Sequence, residues 1–307
     1  MPVPPVTALA SIDALTSGLI DYAGLFPPAG LDMATAVRNF ASYANDEYRR
    51  VLNRFIVPVA RLEEFEECAS PHLARPGARW HLSVLAGPSD IEAGVSRVTD
   101  FNRRHRPGRG TGRASIDVIE AKASTAAEIA AFARVRPADV AMDFEIPIAA
   151  DPSPLIGEIA RANGRAKIRT GGVTPDSIPG VAEVVRFFRA CARGAVAFKA
   201  TAGLHHAIRG EYKLTYASDS PSAVMHGFVN VFCTAAFVRT GITATDAVAM
   251  MEETAAEAFQ FDGGGVTWRN RRITTPAIAA ARANYSVSFG SCSFQEPIDE
   301  LRALHWL

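Results

Sequence analysis

The sequence predicts an α/β fold, a (β/α)8 barrel (the TIM-barrel architecture) with a short N-terminal lead-in helix. Three observations carry that expectation. Short apolar runs alternate eight times with longer stretches of helical periodicity. Strands that recur in this way run parallel, because each return to the sheet needs a crossover. No Pro/Ser-rich linker divides the 307 residues, so 1–307 reads as one barrel domain of the usual size for this closed sheet. A doubly wound open sheet is the alternative arrangement of the same alternation.

Taken in order, a helix over Ser11 to Ser17 leads into strand one at Leu19 to Phe26, which Pro27-Pro28 stops. Leu31 to Arg50 then places Met33, Val37, Phe40, Ala41 and Ala44 on one helical face. Strand two is Arg54 to Ala60, followed by a helix carrying Leu62, Phe65 and Cys68. Strand three is Arg79 to Leu85, and its helix opens near a Ser89 cap. The Arg/Gly-rich segment Arg103 to Arg113 reads as a solvated loop.

Strand four is Ala114 to Lys122, and a Thr125-x-x-Glu128 capping box starts the next helix. Strand five, Asp139 to Pro147, precedes a helix with Ser153 as cap, Pro154 in its first turn and Gly164 as its stop. Strand six is Arg165 to Gly172 and strand seven Ala195 to Thr201, each followed by apolar helical stripes, the second after a polar loop from Ala207 to Ala223. Strand eight is placed at Ala258 to Asp262, a hairpin at Val266 to Ile273, and the last barrel helix at Thr275-Pro276. Ser288 to Phe294 then reads as a packed tail; the alternative is a segment that folds over a site and presents Cys292, for which the sequence offers no matching general base.

Composition narrows the function classes. Acidic and basic residues balance at 32 each, which leaves no large field for nucleic acid or an anionic membrane. A small-molecule substrate is the expected partner, and a homo-oligomer is left open. The start Met1-Pro-Val-Pro-Pro-Val6 has neither the basic end nor the apolar run of a signal peptide, and no stretch reaches the roughly 20 apolar residues of a membrane span, so a cytoplasmic location is expected. Four scattered cysteines form neither a C-x-x-C pair nor a disulfide framework.

Only four of the basic residues are lysines: Lys122, Lys167, Lys199 and Lys213. In so arginine-rich a chain the lysines are candidates for chemistry that arginine cannot perform, since only a lysine amine loses its proton and attacks a carbonyl. Strand alternation sends Lys167 and Arg169, Lys199 and Thr201, Asp143 and Glu145, Glu120 and Lys122 inward, with His81, Ser83 and Asp21 on their strands. A barrel interior is normally an apolar core, so this many charged residues points to the catalytic mouth at the strand C-termini. Arg169 and desolvation act to lower the Lys167 pKa, while Asp143 and Glu145 act to raise it. A network of ion pairs such as Glu145–Lys167 that only fills the barrel is the structural alternative.

The two lysine strands, Ala166-Lys-Ile-Arg-Thr-Gly-Gly172 and Phe198-Lys-Ala-Thr-Ala-Gly203, resemble the deoxyribose-phosphate aldolase type of class I aldolase barrel. That family carries a Schiff-base lysine on strand six in Lys-Thr-x-Thr-Gly and a second lysine on strand seven in Lys-x-x-Gly-Gly. This chain departs from it at Arg169, where a small residue is usual, and at Leu204-His205-His206. The resemblance implies a lyase acting on a small polar or phosphorylated oxo-compound without a cofactor. Lys167 would be the nucleophile, Lys199 its pKa-lowering neighbour, and Asp117 or Glu120 the proton relay.

With Asp143 and Glu145 these residues form the expected catalytic set, and Arg169, Thr201, His205, His206, Asp21, Gly171 and Gly172 the substrate-binding set. The alternative chemistry is a divalent-metal site for a hydrolase, isomerase or lyase, using Glu145, His205 and His206, with Asp143, Asp21 or His226 as further ligands. His226, beside Met225, reads as a capped or solvent-facing helical residue. A non-catalytic ligand-binding barrel is a third class.

Overall fold

The computed structural model describes residues 9–74, 79–87, 91–105 and 114–307. The Ser89 cap, most of the Arg/Gly-rich segment and the residues before Leu9 lie outside them. Eight parallel strands close into a barrel: β1 (Ile20–Tyr22), β2 (Leu52–Pro58), β3 (Trp80–Ala86), β4 (Ala114–Lys122), β5 (Ala141–Glu145), β6 (Arg165–Arg169), β7 (Phe198–Thr201) and, last, β13 (Ser286–Ser291). The helices are α1 (Ala10–Thr16), α2 (Met33–Tyr43), α3 (Leu62–Leu73), α4 (Ile91–Arg104), α5 (Ala126–Val135), α6 (Ser153–Arg161), α7 (Val181–Arg193), α8 (Phe228–Arg239), α9 (Ala244–Met251), α10 (Thr275–Asn284) and α11 (Gln295–Ala303). None of the described helices is long and apolar enough to cross a membrane.

The core is the layer between strands and helices. Phe55, Met142, Phe144, Ile168, Phe198 and Phe289 point outward from the strands and meet Phe40, Phe65, Phe132, Phe187, Phe188 and Phe232 of the helices, all of them buried. Local signals hold where they are strong. Thr125 and Glu128 form the expected reciprocal capping box at the start of α5. At α6, however, the cap position is Pro152, and the Ser153 hydroxyl donates instead to Asp151 at 2.7 Å. Helix α2 stops at Tyr43, short of Arg50, because polar side chains take over the backbone there: Asn45 donates to the Ala41 carbonyl and Asp46 accepts from the Tyr48 N–H.

The eighth strand differs from the expectation. Phe259–Asp262 forms β10, which joins β11 (Gly265–Trp268) and β12 (Arg271–Thr274) in a separate antiparallel sheet. The barrel is closed by the segment expected to be a tail, β13, which pairs with β7 on one side and β1 on the other. Its inward positions are small because the barrel interior leaves no room there. The Ser288 hydroxyl meets Asp21, and a Cβ added at Gly290 would lie 3.1 Å from Thr201 Oγ1 and 3.2 Å from Ile56 Cδ1. The loop Ala207 to Ala223 likewise contains a strand, β8 (Gly210–Lys213), whose partner β9 (Ser222–Met225) forms a two-stranded ribbon with it.

Helix α8 is buried from Phe228 to Val238, as a helix apolar on every side must be. Its approach to the barrel loops requires Gly227, where a Cβ would fall 2.4 Å from the Ala207 carbonyl oxygen.

The packing of β13 predicts a measurable cost. Phe289 is fully buried and stacks on Phe228 with ring centroids 5.6 Å apart, and beside Phe232 at 5.8 Å. Phe289→Ala is expected to destabilise the protein by about 3–5 kcal/mol in urea unfolding. A loss below about 1 kcal/mol would place this segment outside the core.

Candidate active site

Inside the barrel, the neighbouring strands bring Lys167 into register with Lys199 and with Glu145, and Glu120 into register with Asp143. One carboxylate joins the two lysines. Glu120 Oε2 lies 2.7 Å from Lys167 Nζ, and its Oε1 lies 2.5 Å from Lys199 Nζ. Lys167 Nζ also meets Glu145 Oε2 at 2.8 Å, and Lys199 Nζ meets Asp21 Oδ2 at 2.6 Å. Ser83 donates to Glu120 at 2.5 Å and Ser288 to Asp21 at 2.8 Å, so each of these carboxylates also accepts from a serine hydroxyl. Arg169 Nε reaches the other oxygen of Glu145 at 3.2 Å.

Burial alone would lower the lysine pKa values, but the carboxylates outweigh it. Glu120 and Glu145 hold Lys167 above its ordinary range, and Asp21 and Glu120 do the same for Lys199. The reverse applies to the acids: burial would raise Glu120 and Glu145, yet the lysines hold both below the usual carboxylate range. Lys167 is therefore an ammonium in the resting site, and Lys199, itself tied to carboxylates, does not free it.

A cavity of about 530 Å³ opens above this network at the C-terminal ends of the strands. Glu120, Lys122, Glu145, Lys167, Arg169 and Thr201 reach it. Lys199 and Asp21 lie beneath, each with only 1% of the side chain exposed, against 5% for Lys167. Asp143 is not part of the mouth. It is buried on Arg165 at 2.6 Å, and burial raises its pKa. Asp117 sits at the other end of the strands, paired with Arg54 at 2.7 Å and with the half-exposed His81 at 3.3 Å. A shift in the β3–β4 register leaves Asp117 unpaired across from β3, which resets the alternation on β4. Of the two carboxylates implied for a relay, only Glu120 touches the lysines.

The glycines after β6 and β7 have a packing role. A Cβ on Gly171 would lie 2.9 Å from Gly203 Cα, and Gly203 adopts a φ of +75°. Gly172 lines the cavity wall with Val173.

The two adjacent histidines diverge. His205 lines the cavity, with Nδ1 3.0 Å from Glu296 and Nε2 4.0 Å from Cys292 Sγ. Burial opposes a charge on His205, yet its bonds to Cys292 and Glu296 push its pKa up to about 9. His206 turns away, with Nδ1 2.5 Å from Glu300 and its ring stacked on Tyr212 at 3.5 Å. His226 is buried rather than solvent-facing and precedes α8. It accepts from Arg209 at Nδ1 and meets the Pro179 carbonyl through Nε2, and burial lowers its pKa to about 4.

Glu145, His205 and His206 thus do not converge, and no group of three or more His, Cys, Asp or Glu among the described residues could hold a metal ion. Glu296 joins the site unforeseen, and Cys292, for which the sequence offered no base, faces His205 there, since both follow a strand that the sequence reading placed elsewhere.

Two outcomes follow from these charges. Glu120→Gln removes the carboxylate shared by two buried ammonium groups and is expected to cost about 3–5 kcal/mol in urea. Because Glu120 and Glu145 are held low, their contribution is present above the ordinary carboxylate range and lost as pH falls through it, with Asp143 acting in the opposite sense. The acid-side loss should be shallower in the variant.

His205 is raised, so its contribution is complete below about 6.5 and disappears as pH rises through about 9. The stability difference between wild type and His205→Asn should shrink by about 3 kcal/mol between those values. No protein-family model, characterised protein or solved structure matches the chain, so the site is read from its geometry.

Proposed function

We propose that the protein is a lyase of the Schiff-base aldolase type, acting on a small polar or phosphorylated oxo-compound through Lys167. The observation that carries this reading is the placement of the Lys167 amine. It reaches the cavity while contacting two carboxylates, and one of these is shared with a deeper lysine.

The resting ammonium needs a base before it can attack, and Glu145 and Glu120 are in contact to take its proton. The neutral amine adds to the substrate carbonyl, and loss of water gives an iminium. The β-hydroxyl of the substrate gives its proton to the Glu145 or Glu120 carboxylate, the Cα–Cβ electron pair moves into the iminium to form an enamine, and one carbonyl fragment is released. Protonation of the resulting enamine and return of the water free the second fragment and Lys167. Lys199, held by Asp21 and Glu120, keeps a positive charge beneath Glu120 throughout and limits how far that carboxylate can rise when it accepts a proton. Arg169 and Lys122 at the cavity wall favour a substrate with an anionic group.

Borohydride reduction in the presence of a panel of aldehydes and ketones, with intact mass and peptide mapping, tests the reading. A reduced adduct is expected on Lys167, forming faster as pH rises from neutral because the amine is held above its ordinary range. Lys167→Met should lose it. Lys199→Met should retain Lys167 labelling but slow turnover by about 100-fold or more. Wild-type protein that yields no adduct across the panel, while remaining folded, leaves the lysines as structural ion pairs.

A further inference from the structure

We propose that Cys292 is a second nucleophile of the cavity, a thiol that adds to the carbonyl carbon of an aldehyde with His205 as its proton carrier and Glu296 orienting the imidazole. Cys292 immediately follows β13, His205 follows β7 and Glu296 lies in the first turn of α11. Sγ is 4.0 Å from His205 Nε2, and Nδ1 of the same ring is 3.0 Å from Glu296 Oε2. When Nδ1 donates to Glu296, Nε2 is left facing the sulfur, the relation a nucleophile needs to its base and the base to its orienting group. Resting distances between such groups run long and shorten when a substrate is bound.

The Tyr216 hydroxyl lies 3.6 Å from Sγ. Sγ belongs to a residue that is 6% exposed, and both Cys292 and His205 line the same cavity as Lys167. Ser288 pairs with Lys199, which pairs with Lys167, so Cys292 lies four positions beyond the lysine level. Two strand spacings also separate its strand from that of Lys167, roughly 10 Å across the barrel. The thiol therefore stands at the rim and the amine at the floor, and capture by the thiol does not depend on imine formation.

The step balances without a further reagent. The step runs through the neutral form of His205, whose share grows as pH rises toward about 9: the thiol proton passes to Nε2, the sulfur lone pair forms the S–C bond, and the carbonyl π pair moves to oxygen. The imidazolium returns its proton to that oxygen, leaving a thiohemiacetal. No group leaves and nothing is oxidised, and the adduct reverses by the same path.

Site-resolved alkylation with iodoacetamide tests the proposal in the whole protein. Cys68 is the comparator, since it is the more exposed thiol and does not line the cavity. Cys292 is expected to react at least about tenfold faster than Cys68 near pH 9, where the neutral imidazole is well populated, and His205→Asn to remove that advantage. Glu296→Gln, which keeps a hydrogen-bond acceptor for the ring, should reduce the advantage by a smaller factor. Glycolaldehyde or propanal should slow Cys292 labelling saturably, and should do so equally in Lys167→Met, which separates this capture from the lysine chemistry. Labelling of Cys292 no faster than Cys68 in folded wild type, or labelling indifferent to saturating aldehyde, would overturn it.

Discussion

Glu120 carries the organisation of the barrel interior. Its two oxygens are divided between two lysine ammonium groups and a serine hydroxyl, in a space where an uncompensated charge is costly. Around it the charges balance by direct pairing. Arg54 meets Asp117, Arg165 meets Asp143, Arg169 and Lys167 meet Glu145, and Lys199 meets Asp21. Five cations thus face five carboxylates along the barrel axis. The usual apolar plug of such a barrel is replaced by this column, and the hydrophobic contribution comes from the aromatic shell between strands and helices. Among the described residues most of the buried charged side chains lie on the inside of the sheet, where the strands hold their partners in place.

The column also sets what the amine can do. A lysine made nucleophilic by desolvation alone would be neutral at rest. Lys167 is instead stored as an ammonium with its proton acceptors already bonded to it, so activation consists of moving a proton along an existing contact. In the proposed reaction, a substrate anion drawn to Arg169 would compete with Glu145 for the guanidinium and leave that carboxylate to act on Lys167, so that recognition and activation would be coupled through one acid.

Much of this arrangement was legible in the sequence because strand alternation is a strong constraint. Seven of the barrel strands, the inward set of Asp21, Glu120, Glu145, Lys167 and Lys199, and the cavity positions of Arg169 and Thr201 follow from period-two patterning and from the scarcity of lysine. Alternation failed where its premises failed. The register shift beside Asp117 changed which residues share a face on β4, and sequence carries no mark of such a bulge.

The eighth strand was hidden because its inward residues had to be serine and glycine to fit against Asp21 and Thr201, a composition that also suits a turn or tail, while the two alternating phenylalanines of Phe259–Asp262 turned out to be a decoy. With that strand misplaced, Cys292 and Glu296 had no visible partner. His205 and His206 could not be separated either, since their divergence depends on two acids of α11, nearly a hundred residues away.

The contact between Gly171 and Gly203 has a consequence for how such a scaffold can change. Two loops from adjacent strands touch backbone to backbone, so neither can accept a side chain at that point without displacing the other. That corner of the mouth is closed to gradual variation, one substitution at a time. Pro27 and Pro28 on the cavity wall, and Tyr212, Lys213 and Glu296 around the neighbouring hollow, are by contrast positions that carry side chains. Under the proposed function, a change of substrate preference would come through those positions, with the lysine floor and the glycine corner left unaltered.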